Sequence, residues 1–248
     1  MSAPRGTVQL FHTCLVNELD PEVGLSVARV LERVGCEVAV PAGQTCCGQP
    51  AFNAGFHDEA RAAARHTLDV LDATDGPVVV PSGSCADMIV HQYEVLFEDD
   101  AEDRARAQRV ARRVREFSQF VAAAARDGSP VGGRLAARVT YHPSCHLWRG
   151  LGVRAEPPDL LGATEGLEVV PLPEAQECCG FGGLFSVKDP EISGSILARK
   201  IAAIRQSGAD RVVSCDLGCL LHLAGGLRRA GVPVMAQHLA ETLDESLP

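Results

Sequence analysis

The stretch Gln44-Thr45-Cys46-Cys47-Gly48-Gln49-Pro50 decides how the chain is read, and Glu177-Cys178-Cys179-Gly180-Phe181 echoes it 132 residues later. Adjacent cysteines are poor disulfide partners, because a ring closed between neighbours forces the backbone outside normal bridge geometry. Two neighbouring thiolates can instead reach one metal centre from a single tight turn. The glycine lets the backbone come close to a bulky inorganic core. Working outward, each triplet lies between two further cysteines, giving Cys14, Cys46, Cys47 and Cys85 in the first half and Cys145, Cys178, Cys179 and Cys219 in the second. Corresponding members are 131, 132, 132 and 134 residues apart. Near-constant offsets of this kind mark an internal duplication.

The hydrophobic pattern around the cysteines repeats as well. Residues 7–11, 37–40 and 77–80 read as short strands, and 138–141, 168–170, 211–213 and 232–234 read as their equivalents plus a last strand. Asp20 and Pro21 open a helix whose Val23, Val27, Val30, Leu31 and Val34 share one face, and Gly35 stops it. Further helices are expected over 58–71, 88–97, 190–207 (stopped by Gly208) and 220–227, with a terminal helix at the end. A long charged helix over 101–125 closes the first half. Asp127-Gly128-Ser129-Pro130, extended by Gly132-Gly133, is the best linker, so domains are expected at 1–130 and 131–248. Strands alternating with helices imply parallel sheets. The fold class expected is α/β, internally duplicated, with two similar parallel-sheet domains related by a pseudo-two-fold.

In an open parallel sheet, ligands bind at the carboxyl edge of the strands. All four cysteines of each half follow strands, so they can converge there despite their separation in sequence. The turns before the helices at Met88 and Leu220 would aim positive dipole ends at an anionic centre. Four thiolates suit Zn²⁺ or a [4Fe–4S] cluster. Zinc ligands usually come as pairs two to four residues apart, whereas the gaps here are 31, 0 and 37 residues, then 32, 0 and 39. That spacing favours iron–sulfur, with zinc and a scaffolding role as the alternative. The net charge of −9 argues against binding nucleic acid. The N-terminus lacks a secretory signal pattern, and no apolar run reaches the roughly 18 residues of a membrane span. A cytoplasmic location is expected, where ten cysteines point to metal or redox chemistry rather than disulfides.

The doubled pattern of a lone Cys, a Cys-Cys-Gly and a further Cys resembles the CCG, or cysteine-rich, domain. That domain occurs in the cysteine-rich subunit of heterodisulfide reductase and in the iron–sulfur subunits of glycolate oxidase and anaerobic glycerol-3-phosphate dehydrogenase. More narrowly, Phe11-His12-Thr13-Cys14, Gly43 to Ala51, Pro81-Ser82-Gly83-Ser84-Cys85 and Cys178-Cys179-Gly180-Phe181-Gly182-Gly183 resemble the lactate utilisation protein A family. The resemblance implies an oxidoreductase component that helps convert L-lactate to pyruvate, together with a ferredoxin-like iron–sulfur subunit and a third subunit. It also implies two clusters, held by Cys14, Cys46, Cys47 and Cys85 and by Cys145, Cys178, Cys179 and Cys219. Many such domains carry Cys-x-x-Cys at the last ligand. Here Ser82 and Asp216 stand at the first of those positions, so a five-thiolate noncubane cluster is not specified and a four-ligand [4Fe–4S] centre fits equally.

The remaining residues have plainer readings. Cys36 is expected in the core; Cys215 could be a fifth ligand, but its first-half counterpart is Pro81 and a spare core cysteine is the simpler reading. His12 and His142 precede the lone cysteines but fall out of register by one position, which favours hydrogen bonding around the site over catalysis; His146 has the same status. His57, His66 and His91 lie on helix faces. Gly182-Gly183, like Gly55, could allow a tight loop round a cluster. Arg149 and Lys188 could hold a carboxylate such as lactate, with surface charge the simpler reading, and Trp148 could shield a cluster but suits core or interface better.

Overall fold

Apolar Val8 to Leu10 and Val78 to Val80 can shed water only as neighbouring strands with both faces covered, and the rest of the first sheet assembles on them. The computed structural model describes residues 6–129 and 131–247. Its first half runs β1 (Thr7–Leu10), α1 (Cys14–Leu19), α2 (Pro21–Arg33), β2 (Glu37–Ala39), α3 (Gln49–Asn53), α4 (His57–Asp72) and β3 (Val78–Val80). It continues with α5 (Gly83–Asp87), a π-helical turn over Met88–Gln92, α6 (Tyr93–Leu96), α7 (Ala101–Arg113), β4 (Val114–Glu116) and α8 (Phe117–Arg126). The second half comprises β5 (Arg134–Tyr141), a π-turn over His146–Gly150, α9 (Glu156–Gly162), β6 (Glu165–Val170), α10 (Phe185–Lys188), α11 (Pro190–Ser207), β7 (Arg211–Ser214), α12 (Leu217–Arg229), β8 (Met235–His238) and α13 (Leu239–Ser246).

The two sheets have the same topology. Strand order is β2-β1-β3-β4 in one and β6-β5-β7-β8 in the other, and every pairing is parallel. Two parallel-sheet α/β halves of equal topology are what the duplicated cysteine pattern predicts. The halves also exchange helices. The last helix of each packs on the helix after the first strand of the other, α13 on α2 and α8 on α9. A single apolar core accordingly contains Val27 and Val30 together with Leu160, Leu239 and Leu243. Across α2 and α13, Asp244 accepts hydrogen bonds from Ser26 Oγ (3.0 Å) and Arg29 Nε (2.8 Å). The linker 127–130 lies between α8 and β5, and Pro130 falls outside the described residues, as does the start of the chain read for a leader.

Most of the expected elements stand where the periodicity places them and two do not; the short helices α1, α3, α9 and α10 come in addition. The charged helix expected over 101–125 is two helices with β4 between them. Val114 and Glu116 are buried while Arg115 is exposed, a period of two that pairs with β3. The surrounding arginines hide this alternation in the sequence, because Arg106 and Arg109 are committed to Asp69, Asp72 and Asp103 on the same surface. The last strand lies at 235–238 instead of 232–234. Pro233 has no N–H to give to a ladder, so pairing starts only beyond it.

Glu116 is 1% exposed and caps α8, accepting from Ser118 N (2.8 Å) and Ser118 Oγ, with Gln119 returning the bond to its backbone. Burial, against those hydrogen bonds, raises its carboxyl to about 8. A folded-state value above the unfolded one means stability is full below the ordinary carboxyl range and is lost as pH rises through about 8. Glu116→Gln keeps the acceptor without the charge. Urea titrations at pH 5 to 8 are expected to show wild-type stability falling relative to the variant by more than about 1 kcal/mol over that window.

Candidate metal centre

The eight cysteines of the repeated pattern meet in one place. They line a single cavity of about 150 Å³ that opens between the carboxyl edges of the two sheets. Cys14 follows β1 at the start of α1, and Cys145 follows β5 in the same way. Cys85 and Cys219 lie in the first turns of α5 and α12, each directly after a central strand. The Cys-Cys-Gly turns follow β2 and β6. Within each half the four thiols form a chain of contacts. Cys47 and Cys85 sulfurs are 3.3 Å apart and Cys179 and Cys219 sulfurs 3.2 Å, while Cys46 bridges Cys14 to Cys47 and Cys178 bridges Cys145 to Cys179.

The glycine of each triplet has a different task from the one its sequence position suggests. Gly48 and Gly180 adopt φ of 87° and 91°. A Cβ at Gly48 would stand 3.1 Å from Ala60 O of α4, and one at Gly180 2.7 Å from Ser193 O of α11. The missing side chain therefore makes room for α4 and α11. The turn also directs Gly48 N–H to Cys46 Sγ (3.4 Å) and Gly180 N–H to Cys178 Sγ (3.3 Å).

The electrostatics of each quartet follow from crowding thiols together. Hydrogen bonds from Cys14 and then Cys47 lower Cys46 to about 3, and bonds from Cys145 and then Cys179 lower Cys178 to about 2. The donors respond oppositely. Cys14 and Cys145 rise because each gives its proton to that thiolate, and Cys47 and Cys179 rise for the same reason reinforced by burial. The thiolates of Cys46 and Cys178 are thus held by their neighbours' protons, and ionising the donors Cys14, Cys47, Cys145 and Cys179 calls for a cation. A set of soft sulfur donors that releases protons on filling fits a thiolate-bound metal centre.

Other residues join the two halves here. Asp216 Oδ2 accepts from Ser84 N (2.9 Å) and Ser82 Oγ (3.2 Å), so the two positions where a further cysteine could stand are hydrogen-bonded to each other across the seam. His146 Nδ1 lies 2.7 Å from Asp87 Oδ2, and His91 approaches the other oxygen at 2.8 Å. Burial opposes ionisation of Asp87, but the bonds to His146 and His91 outweigh it and hold the carboxyl below its usual range. Gly182 and Gly183 line the cavity, Gly55 does not. Thr13, at φ 61° and ψ 150°, carries backbone strain next to Cys14.

Several sequence readings resolve into packing. Cys36 and Cys215 are buried in the core, and Cys215 Sγ is 3.8 Å from Tyr141 Oη. Arg149 bonds Gln176 O and Lys188 lies over the Phe56 ring, both outside the cavity, so neither is placed to hold a carboxylate there. Trp148 packs under Arg154, and the aromatic side chain that does line the cavity is Phe181. His12 is fixed at the first strand end, its backbone N–H donating to Gln44 Oε1; His57 stacks on Phe52 and His66 bonds Gly43 O. Two positioning residues carried no sequence signal that periodicity could show. Gln44 Nε2 ties the first triplet loop to Leu10 O (2.8 Å), and buried Lys200 ties the second loop to α11 by donating to Glu174 O (2.7 Å) and Ala175 O (3.1 Å).

Comparison with known proteins agrees with this arrangement. A family model for the cysteine-rich CCG domain matches residues 8–90 and again 139–224. Lactate utilization protein A of Exiguobacterium sp. is 43% identical over 97% of this chain and 98% of its own length. The protein of that name from Macrococcus caseolyticus is 45% identical, covering 97% of each chain. Among solved structures, a hypothetical protein from Helicobacter pylori superposes with a TM-score of 0.65 at 14% identity over 99% of this chain, which spans 50% of that one; the likeness is one of fold.

The seam that forms the cavity is tight. A Cβ on Gly83 would stand 2.8 Å from Leu147 Cβ and 3.0 Å from Ser144 Oγ of the other half. Gly83→Ala is expected to destabilise the protein by about 1–3 kcal/mol through overpacking, read from urea midpoints. Gly194→Ala, on open helix surface, serves as the control and should stabilise slightly.

Proposed function

Since this chain belongs to the cysteine-rich CCG domain family, and within it to the family of lactate utilization protein A, we propose that it is an iron–sulfur electron-transfer subunit of an L-lactate-oxidising complex. The observation that carries the reading is the convergence of both thiol quartets on one cavity. Cys14, Cys46, Cys47 and Cys85 would hold one [4Fe–4S] centre and Cys145, Cys178, Cys179 and Cys219 a second. Such centres accept and return single electrons, and oxidation of lactate to pyruvate releases two. The chain's own residues hold the sites in place. Cys47, Cys85, Cys179 and Cys219 are buried, Phe181 lines the cavity, and the Asp216 to Ser82 and Ser84 bonds join the halves.

The cavity lining includes no Lys or Arg among the described residues. That supports an electron relay over a substrate-carboxylate site in this cavity. The partners proposed are a ferredoxin-like iron–sulfur subunit and a third subunit, in the cytoplasm. No helix among the described residues is long and apolar enough to cross a membrane.

Anaerobic purification followed by iron, sulfide and zinc analysis tests this directly. Wild-type protein is expected to show visible charge-transfer absorption, with Cys47→Ala and Cys179→Ala each losing about half of the iron. Both variants should stop electron transfer from lactate in the assembled complex, measured against glycolate and glycerol 3-phosphate as competing donors. Stoichiometric zinc without visible absorption would sink the reading.

A further inference from the structure

The two quartets are alike in their cysteines and unlike in what stands behind them. Phe11 N–H bonds Val79 O at 2.9 Å and His142 N–H bonds Val213 O at 2.8 Å, each one residue past the strand pair Leu10–Val79 or Tyr141–Val213. Phe11 and His142 are therefore the same position in the two halves, three residues before Cys14 and Cys145. Both side chains are 1% exposed. At the first site this position is an ordinary apolar packing residue. At the second it is an imidazole, and neither of its ring nitrogens has a hydrogen-bond partner among the described residues.

A buried polar group without a partner costs about 1–3 kcal/mol, and phenylalanine shows that packing alone does not call for one. The imidazole is not adrift, however. A ring nitrogen of His142 and the sulfurs of Cys179 and Cys219 all lie within 4.8 Å of one another, and all three residues are buried. That is the spacing of donors around one metal ion, and wider than a hydrogen bond to sulfur. Imidazole binds iron and zinc alike and can stand beside or in place of thiolate in iron–sulfur sites. We propose that His142 is a fifth metal donor at the second centre, so that this centre is ligated by nitrogen as well as sulfur while the first, with Phe11, has sulfur alone.

The proposal deepens the iron–sulfur reading and rests on it for the identity of the metal. It also explains why sequence symmetry conceals the residue. His142 invites comparison with His12, yet His12 is the counterpart of Pro143, and the true counterpart is not a histidine at all.

The test uses the full chain, reconstituted anaerobically, with all histidines ¹⁵N-labelled and pulsed EPR recorded on the reduced protein. A strong coupling to directly bound ¹⁵N is expected in wild type. It should vanish in His142→Phe, which copies the first site, while the iron bound by the four thiols remains. Phe11→His should add a second coupling or alter the signal of the first centre. His142→Gln repeats the measurement should the phenylalanine variant misfold. Full iron content without nitrogen coupling, or a coupling that persists in His142→Phe, would overturn the assignment. Should the protein hold zinc in place of iron, the iron–sulfur reading fails on its own. The role of His142 is then decided by zinc titration of the second quartet, where His142→Phe should bind at least about 10-fold more weakly and an unchanged affinity would overturn it.

Discussion

Four thiols held within contact distance cannot all lose their protons unless positive charge is supplied, and much of this structure follows from that constraint. Cys46 and Cys178 ionise readily only because their neighbours remain protonated and donate to them. Each quartet is thus a spring of shared protons that a cation would release. Holding the sulfurs at that distance needs rigid supports. The parallel sheets provide them, because the carboxyl ends of β1, β2 and β3 and of β5, β6 and β7 point to the same edge. The triplet glycines then let α4 and α11 press against the loops that carry the middle ligands.

The sharing of one cavity by both quartets is a property of the seam, not of either half. α8 packs on α9 and α13 on α2, so each half is completed by the last helix of the other. Apolar burial across this seam supplies most of the cohesion, and the polar contacts set its register. Asp216 reaching Ser82 and Ser84, and His146 reaching Asp87, fix how the two edges face each other. A register fixed at the seam fixes the distance between the two sets of thiols, which is the quantity the proposed relay would depend on.

Much of this was legible in the chain. The constant offsets between cysteines show the duplication and single out the eight cysteines that line the cavity, and valine-rich runs show the strands. Helix 190–207 is bounded by Pro190 and Gly208 as the sequence suggests. What escaped had local signals that pointed elsewhere. β4 lies inside an arginine-rich segment whose charges read as one helix face, although its three residues alternate buried and exposed. Its buried end, Glu116, is a charged residue acting as a cap, which no hydrophobic pattern reveals. Lys200 looks like a surface lysine on a helix, yet it is 1% exposed and donates to two loop carbonyls. Long-range pairing of this sort leaves no periodic trace.

Duplication by itself yields two equal sites, whereas the proposed relay would be served by unequal ones. Three departures from symmetry lie close to the thiols. Ser82 answers Asp216 three residues before the last cysteine, Phe11 answers His142, and Thr67 answers Lys200 when α4 and α11 are matched through the residues that Gly48 and Gly180 touch. In all three pairs the first half is neutral or apolar and the second carries an acidic, imidazole or ammonium group. The ligand cysteines, under identical demands in both halves, have kept their positions to within three residues over a spacing of more than 130. Around them the second half carries buried groups that cost desolvation. Such groups persist where their interactions offset that cost: Asp216 accepts from Ser82 and Ser84 across the seam, Lys200 donates to the loop that carries Cys178 and Cys179, and His142 stands beside Cys179 and Cys219.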